Sequence, residues 1–438
     1  MISTEPEIKV GIIENVQEVR GVLLEKFRIA PDVIVTGEFV AKIVGSEIVL
    51  LGGKDIELIR ANEIVFVPLN GGTFTLRDVI FGINFHWERE EDQTFEGALR
   101  LVARTNGTIT AINQISVEKY LASVISSEMS ATAPPELLKA HAITSRSWLV
   151  AMLEMKKRFS TVGVPSQRSF QTEHEITRWY DREDHDIFDV CADDHCQRYQ
   201  GVSKIISPEV QNAIADTRGL FLVYENEICD ARFYKACGGL TEQFENAWAN
   251  TPIAYLRTVS CSSADHQHIA SEVEAKEWIM SSPKAFCNTT DGNILRQVLP
   301  SFDQETTDFF RWKVEYTQHD LSELIHKRSG IDFGEVQELI PLHRGPSGRI
   351  TKLKIVGSKK TLTVGKELEI RRWLSKSHLY SSAFIVTKEN GTFILHGAGW
   401  GHGVGLCQIG AAVMAVEGWK AESIVKHYFR GAELKKLY

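Results

Sequence analysis

Glu128 closes the segment Ser116-Val-Glu-Lys-Tyr-Leu-Ala-Ser-Val-Ile-Ser-Ser-Glu128-Met. Val117, Tyr120, Leu121, Val124 and Ile125 recur there with the rhythm of an amphipathic helix. Glu128 lies four residues past Val124 and three past Ile125, so it prolongs the apolar stripe. Desolvation of a carboxylate favours its protonated form, and an acid still protonated near neutrality can protonate a leaving group. The competing reading is a half-buried carboxylate paired with a basic side chain.

Three further groups could carry chemistry. The first is the loop His396-Gly-Ala-Gly-Trp-Gly-His-Gly-Val-Gly-Leu-Cys-Gln-Ile-Gly-Ala411, whose glycines alternate from Gly397 to Gly405. No register gives G-x-G-x-x-G and no G-K-[ST] follows, which argues against phosphate binding. Alternating glycines let backbone pass close to a ligand or to another strand. Trp400 can then stack on a sugar face while His402 and Gln408 bond hydroxyls; equally, Trp400 is core and His402 a satisfied structural histidine. The second group is His185, Cys191, His195 and Cys196 within twelve residues, enough for a tetrahedral zinc site and without zinc-finger spacing. His174 is a reserve ligand; a local disulfide or unliganded side chains are the rivals. Four protein ligands would make such a zinc structural, because a catalytic zinc keeps one position open. The third group runs from Tyr234 through Cys237-Gly-Gly-Leu-Thr241 to Trp248, a turn followed by either a second sugar platform or a core tryptophan. No G-x-S-x-G is present, and Cys407 beside His396 and His402 is a weak thiol nucleophile, since nothing in the sequence activates it.

The elements that must position these residues are mixed. The chain has 438 residues, 43% hydrophobic and 24% charged, and the length suggests about three domains. A net charge of −8 without a polybasic run speaks against a nucleic-acid partner, and no apolar run is long enough for a transmembrane segment. Met1 to Glu7 lacks the basic and apolar regions of a signal peptide. Seven cysteines at irregular spacing are not a disulfide scaffold, and those outside the 191–196 group read as buried free thiols. Short strands such as Ile8–Ile13, Val33–Thr36 and Ile64–Val67 fill the N-terminal region. A hairpin with Asn106-Gly107 at its turn leads into the Glu128 helix. Pro134-Pro135 opens a second helix, 136–153, whose small mid-span residues would allow close helix packing. The fold class is α+β: small N-terminal β modules over 1–96, a catalytic domain in two parts over 97–264 and 376–438 with two packed helices carrying the site, and an α+β accessory insertion over 265–375.

Several of these segments resemble the stage II sporulation protein D family (SpoIID/LytB domain). Glu118-Lys-Tyr-Leu121, the pair Glu128-Met129 and Leu137-Leu-Lys-Ala-His-Ala-Ile-Thr-Ser-Arg-Ser147 are similar to its paired-helix signature, with His141 in place of the usual Gln. Gly399 to Ala411 is similar to its G-W-G-H-G-V-G-M-S-Q-x-G-A loop, with Leu406 and Cys407 replacing Met and Ser. Cys191 to Gln197 and Cys237 to Thr241 also resemble family elements, and the likeness spans roughly 97–438. The resemblance implies a lytic transglycosylase acting on peptidoglycan glycan strands stripped of stem peptides. It maps the catalytic acid onto Glu128, and zinc onto the 185–196 group; no organic cofactor is expected. Arg146, Trp400, His402, Gln408 and Trp248 are the expected substrate-binding residues. The alternative role it implies is a glycan-binding protein or enhancer of a cell-wall amidase. Either role places the protein outside the cytoplasm, in the periplasm or cell wall, although no export signal is visible.

Overall fold

The structure is a computed structural model that describes residues 2–83, 88–162, 169–180, 185–193, 195–205, 207–299 and 308–438. Part of the polar stretch 160–200 therefore lies outside the described residues. Strands and helices are mixed throughout, so the class is α+β. The chain divides into two compact units, one of 1–132, 184–220 and 436–438, the other of 133–183 and 221–435.

The first unit is built on strands β1 (Glu7–Val16), β2 (Glu18–Ala30), β3 (Val33–Val44), β4 (Glu47–Leu51), β5 (Glu57–Ala61), β6 (Glu63–Pro68), β7 (Thr73–Phe81), β8 (Arg89–Glu96), β9 (Ala98–Ala103) and β10 (Ile109–Ser116). With the short strand Val190–Cys191 they form one 11-stranded sheet. Alternation sets its inner face: Val19, Gly21, Leu23 and later Phe27 of β2 are buried between solvated neighbours. The expected Asn106-Gly107 turn joins β9 to β10, which pair antiparallel from Ile109↔Ala103 to Gln114↔Ala98.

β10 runs directly into helix α1 (Val117–Glu128). Ser116 supplies no side-chain cap. Instead Glu5 accepts the Glu118 N–H at 3.2 Å and the Pro6 carbonyl accepts that of Val117 at 3.0 Å, satisfying two of the orphan donors of the first turn. Val117, Tyr120, Leu121, Val124 and Ile125 are buried as their spacing predicts, each contributing roughly 1.5–3 kcal/mol on burial. An aromatic chain ties the helix to the sheet: Tyr120 stacks on Tyr199 at 5.0 Å, and Tyr199 lies 5.8 Å from Phe95, which stacks on Phe74.

The second unit opens with helix α2 (Pro135–Val162), nine residues longer at its end than the apolar pattern suggests. A five-stranded sheet and a three-stranded sheet, the latter of Arg311–Thr317, Thr392–Ala398 and Phe384–Glu389, share a core around Trp312, Trp373, Leu395 and Phe384. A further strand runs over Leu220–Tyr224, and a helix over Glu272–Met280. No helix among the described residues is long and apolar enough to cross a membrane.

Candidate functional site

Glu128 is the last residue of α1, and Met129 turns extended immediately after it. Its side chain is half-buried, and Oε1 accepts the main-chain N–H of Arg198 at 2.9 Å. That donor comes from a segment sewn to α1 at several points. Gln200 N–H donates to Ser123 Oγ at 3.2 Å, and Tyr120 Oη donates to Gln197 Oε1 at 3.4 Å. Tyr199 Oη donates to Asn113 Oδ1 on β10 at 2.6 Å. Burial, reinforced by the electrostatic influence of neighbouring groups, pushes the Tyr120 phenol well above its ordinary range and keeps it a neutral donor.

The same segment carries the His/Cys group. One ligand atom from each of His185, Cys191, His195 and Cys196 falls within 4.8 Å of all the others. His185 Nε2 and His195 Nδ1 each lie 3.4 Å from Cys196 Sγ, and His195 Nδ1 lies 3.8 Å from Cys191 Sγ. Zinc bonds of about 2.0–2.3 Å in a tetrahedron need ligand–ligand edges of roughly 3.3–3.8 Å, so the donor set fits that ion. The hydrogen bond from Cys196, with others from His185 and His195, lowers the Cys191 thiol pKa from its ordinary range against the opposing effect of burial. The site thus favours the thiolate that a metal requires. His174, by contrast, is exposed and beside Glu173.

Main-chain bonds fix this segment. Val190–Cys191 pairs in parallel with Val10–Gly11 of β1, and Ala192 N–H donates to the Gly11 carbonyl at 3.0 Å. Asp193 accepts the N–H groups of Gly82 and Ile83 at 3.0 and 2.9 Å. Phe188 stacks on His185 at 4.4 Å, and Gly11 makes room for it: a Cβ there would stand 2.6–2.8 Å from the Phe188 ring.

In the second unit the glycine loop leaves the strand Thr392–Ala398 with Gly399, Gly401, Gly403 and Gly405 all at positive φ, a conformation glycine adopts without steric cost. At Gly399 a Cβ would also meet the Cys237 backbone at 2.7 Å. Trp400, between them, pairs its backbone with Ala236 and is half-exposed, its ring 4.8 Å from Phe309 and 4.5 Å from Tyr380. His402 is structural in its hydrogen bonding. Nδ1 accepts from Val404 N–H at 3.1 Å, so the proton sits on Nε2 and is donated to the Phe233 carbonyl at 3.0 Å. Burial holds its pKa well below the usual histidine range. Its ring still packs edge-on against half-exposed Trp248 at 4.8 Å, and the Arg232 guanidinium lies 4.0 Å over that indole.

Gln408 and Arg146 are buried rather than displayed. Gln408 Nε2 lies 3.2 Å from His141 Nε2, and Arg146 Nη1 donates to the Ala142 carbonyl at 3.5 Å. Burial brings the His141 pKa down to about 3, so His141 is neutral and accepts from Gln408 at Nε2. The structure therefore joins Trp248 to His402 and Gln408 to His141, and groups Glu128 with the His/Cys segment. The residue that sequence patterns miss is Arg198, because its contribution is a main-chain N–H, which leaves no mark on residue type.

Residues 105–224 match the family described as Stage II sporulation protein. Residues 242–405 match a second family, described as a domain of unknown function (DUF8618). The chain is 25% identical over 326 residues to Stage II sporulation protein D of Bacillus amyloliquefaciens, covering 74% of this chain and 76% of that protein. It is equally 25% identical over 328 residues to the Stage II sporulation protein D of Bacillus subtilis (strain 168), with the same coverage of each chain, 74% and 76%. The Amidase enhancer of Bacillus subtilis (strain 168) is 21% identical over 338 residues, which are 72% of this chain and 40% of that one.

Proposed function

We propose that this protein is a peptidoglycan lytic transglycosylase. It would cut the MurNAc–GlcNAc bond of peptide-free glycan strands and leave 1,6-anhydroMurNAc ends. The observation that carries the reading is Glu128 itself: a half-buried carboxylate at a helix end, with one oxygen held by the Arg198 N–H. Most glycosidases need two carboxylates, one as acid and one as nucleophile or base. One suffices when the nucleophile is the sugar's own C6 hydroxyl. Glu128 donates its proton to the glycosidic oxygen as the C1–O bond breaks. The resulting carboxylate takes the C6 hydroxyl proton as O6 bonds to C1, and the carboxylic acid is restored. The attack is intramolecular, which replaces a captured water with a tethered oxygen. The Arg198 N–H fixes the carboxylate's orientation through both proton transfers. Trp400 and Trp248, both half-exposed, are the indoles this reading assigns to sugar binding. Gln408 and Arg146, being buried, support the glycine loop and α2 from within.

Zinc held by His185, Cys191, His195 and Cys196 would be structural, its four protein ligands leaving no open position. Cys196 is two residues before Arg198, so the fold of that loop sets where the Glu128 donor stands. The substrate places the working protein outside the cytoplasm.

A second reading has its own support in the similarity to the Amidase enhancer: the protein holds glycan or a cell-wall amidase without cutting. Incubation with peptide-free glycan strands followed by mass spectrometry separates the two. Products ending in anhydro sugars support cleavage, and intact strands that remain bound support the second reading. Reducing ends, one water heavier, would replace both with a hydrolase.

A further inference from the structure

We propose that the second unit contains a tetrathiolate zinc centre formed by Cys237, Cys261, Cys287 and Cys407. The four thiols come from four separate segments, yet their sulfur atoms all lie within 4.8 Å of one another. All are buried, at 0–2% exposure. None is in a disulfide, and Cys237 Sγ and Cys287 Sγ stand 3.4 Å apart, against about 2.0 Å for an S–S bond. Zn–S bonds of about 2.3 Å in a tetrahedron place sulfurs roughly 3.8 Å apart, which is the scale of this cluster.

Main-chain N–H groups point at two of the four sulfurs. Cys407 Sγ accepts the N–H groups of Cys237 at 3.3 Å and of Gly410 at 3.4 Å, the latter as the cap of helix Gln408–Val416. Cys237 Sγ accepts the Gly239 N–H at 3.3 Å. Such donors, and a helix N-terminus, stabilise negative sulfur. A tetrathiolate around a divalent ion carries about two negative charges, and a buried guanidinium, Arg349, and a half-buried one, Arg311, bond main-chain carbonyls next to it. Arg349 Nη1 donates to the Cys237 carbonyl at 3.3 Å, and Arg311 Nη1 to the Gly238 carbonyl at 3.0 Å. Gly410 keeps the cavity open, because a Cβ there would collide with Cys261 Sγ and the Tyr428 hydroxyl. The Tyr428 hydroxyl lies 3.2 Å from Cys261 Sγ.

Binding releases the four thiol protons to solvent as four Zn–S bonds form, with no redox change. Four protein ligands make the centre structural. Its role follows from where the ligands lie. Cys261 and Cys287 fall inside the 242–405 segment, while Cys237 and Cys407 flank it. The ion would staple that segment to the short parallel pair Phe233–Tyr234 and Leu406–Cys407 at its base.

The test uses the full chain, purified without chelators from zinc-supplemented cells. Metal content is measured together with zinc-edge X-ray absorption, for the wild type and for Cys191→Ser/Cys196→Ser, which dismantles the His/Cys group of the first unit. The double variant should keep about one zinc with a sulfur-only shell. Adding Cys261→Ser should remove that zinc or put a nitrogen or oxygen ligand in the shell. The wild type needs no variant to fold. Both centres filled give about two zinc ions averaging about three sulfurs each, the tetrathiolate alone gives about four, and the His/Cys group alone about two. An average of two sulfurs, a zinc-free double variant, or two disulfides found by mass among these four cysteines would overturn the proposal. Loss of the His/Cys zinc alone would leave it standing.

Discussion

Gly11→Ala should loosen the His/Cys centre of the first unit from behind. The added Cβ would stand 2.6–2.8 Å from three atoms of the Phe188 ring, whereas carbon pairs settle at about 3.5–4.0 Å. The ring must move by roughly 1 Å, yet it is 2% exposed and stacked on His185 at 4.4 Å. Overpacking of this kind costs about 1–3 kcal/mol. His185 is the one of the four stacked on this ring, so the strain should fall on the proposed zinc arrangement and weaken zinc binding by about 5–150-fold. Competition with a chromophoric chelator reads the affinity, and a thermal melt of the zinc-loaded protein reads stability. Adding Phe188→Leu should restore part of both by vacating the collision. Wild-type zinc affinity and melting temperature in Gly11→Ala would refute the reasoning, because they would show that the ring shifts without cost or that His185 does not hold the ion.

Tyr199→Phe removes the 2.6 Å bond to buried Asn113 and leaves its Oδ1 without that donor, which should cost about 1–3 kcal/mol in chemical denaturation. The same variant should lower glycan cleavage, since Tyr199 adjoins the Arg198 donor; full activity with reduced stability would detach the two roles. His141 has a folded pKa depressed from 6.5 to about 3, so the unfolded chain binds the proton more readily. Its contribution to stability is therefore intact above about pH 6.5 and is lost as pH falls toward about 3. His141→Gln should flatten that part of the stability–pH curve while keeping a bonding partner for Gln408, and an unchanged slope between pH 6 and 4 would count against a neutral buried imidazole.

Much of the scaffold was legible because its signals are local. The stripe from Val117 to Ile125 predicts α1, and the structure starts it at Val117 and ends it at Glu128. Asn106-Gly107 marks a hairpin because a tight turn demands those residues, and Pro135 marks the start of α2. The N-terminal strands were recognisable as strands but run to 10–13 residues, because the ends of β1, β2 and β3 are partly solvated and carry no apolar alternation. The sites divide the same way. Four zinc-type ligands within twelve residues can be read from spacing. Cys237, Cys261, Cys287 and Cys407 look like isolated thiols, since only tertiary folding joins segments so far apart. The glycine loop was recognisable, but its histidine was ambiguous: a ring bonded at both nitrogens to main chain and one free to meet a ligand have the same sequence. Arg198 was invisible for a simpler reason, in that every residue but proline offers the same N–H.

In the proposed cleavage Glu128 moves the proton in both halves of the reaction. Glu128→Gln keeps the side chain's shape and an oxygen for the Arg198 N–H but has no acid proton to give. Wild type and variant should be compared on the same peptide-free glycan strands, with anhydro ends counted by mass and strand binding measured in parallel. The wild type should yield anhydro ends, and the variant should show a fall of at least about 100-fold with binding retained. Equal yields of anhydro ends from the two proteins would contradict this role of Glu128.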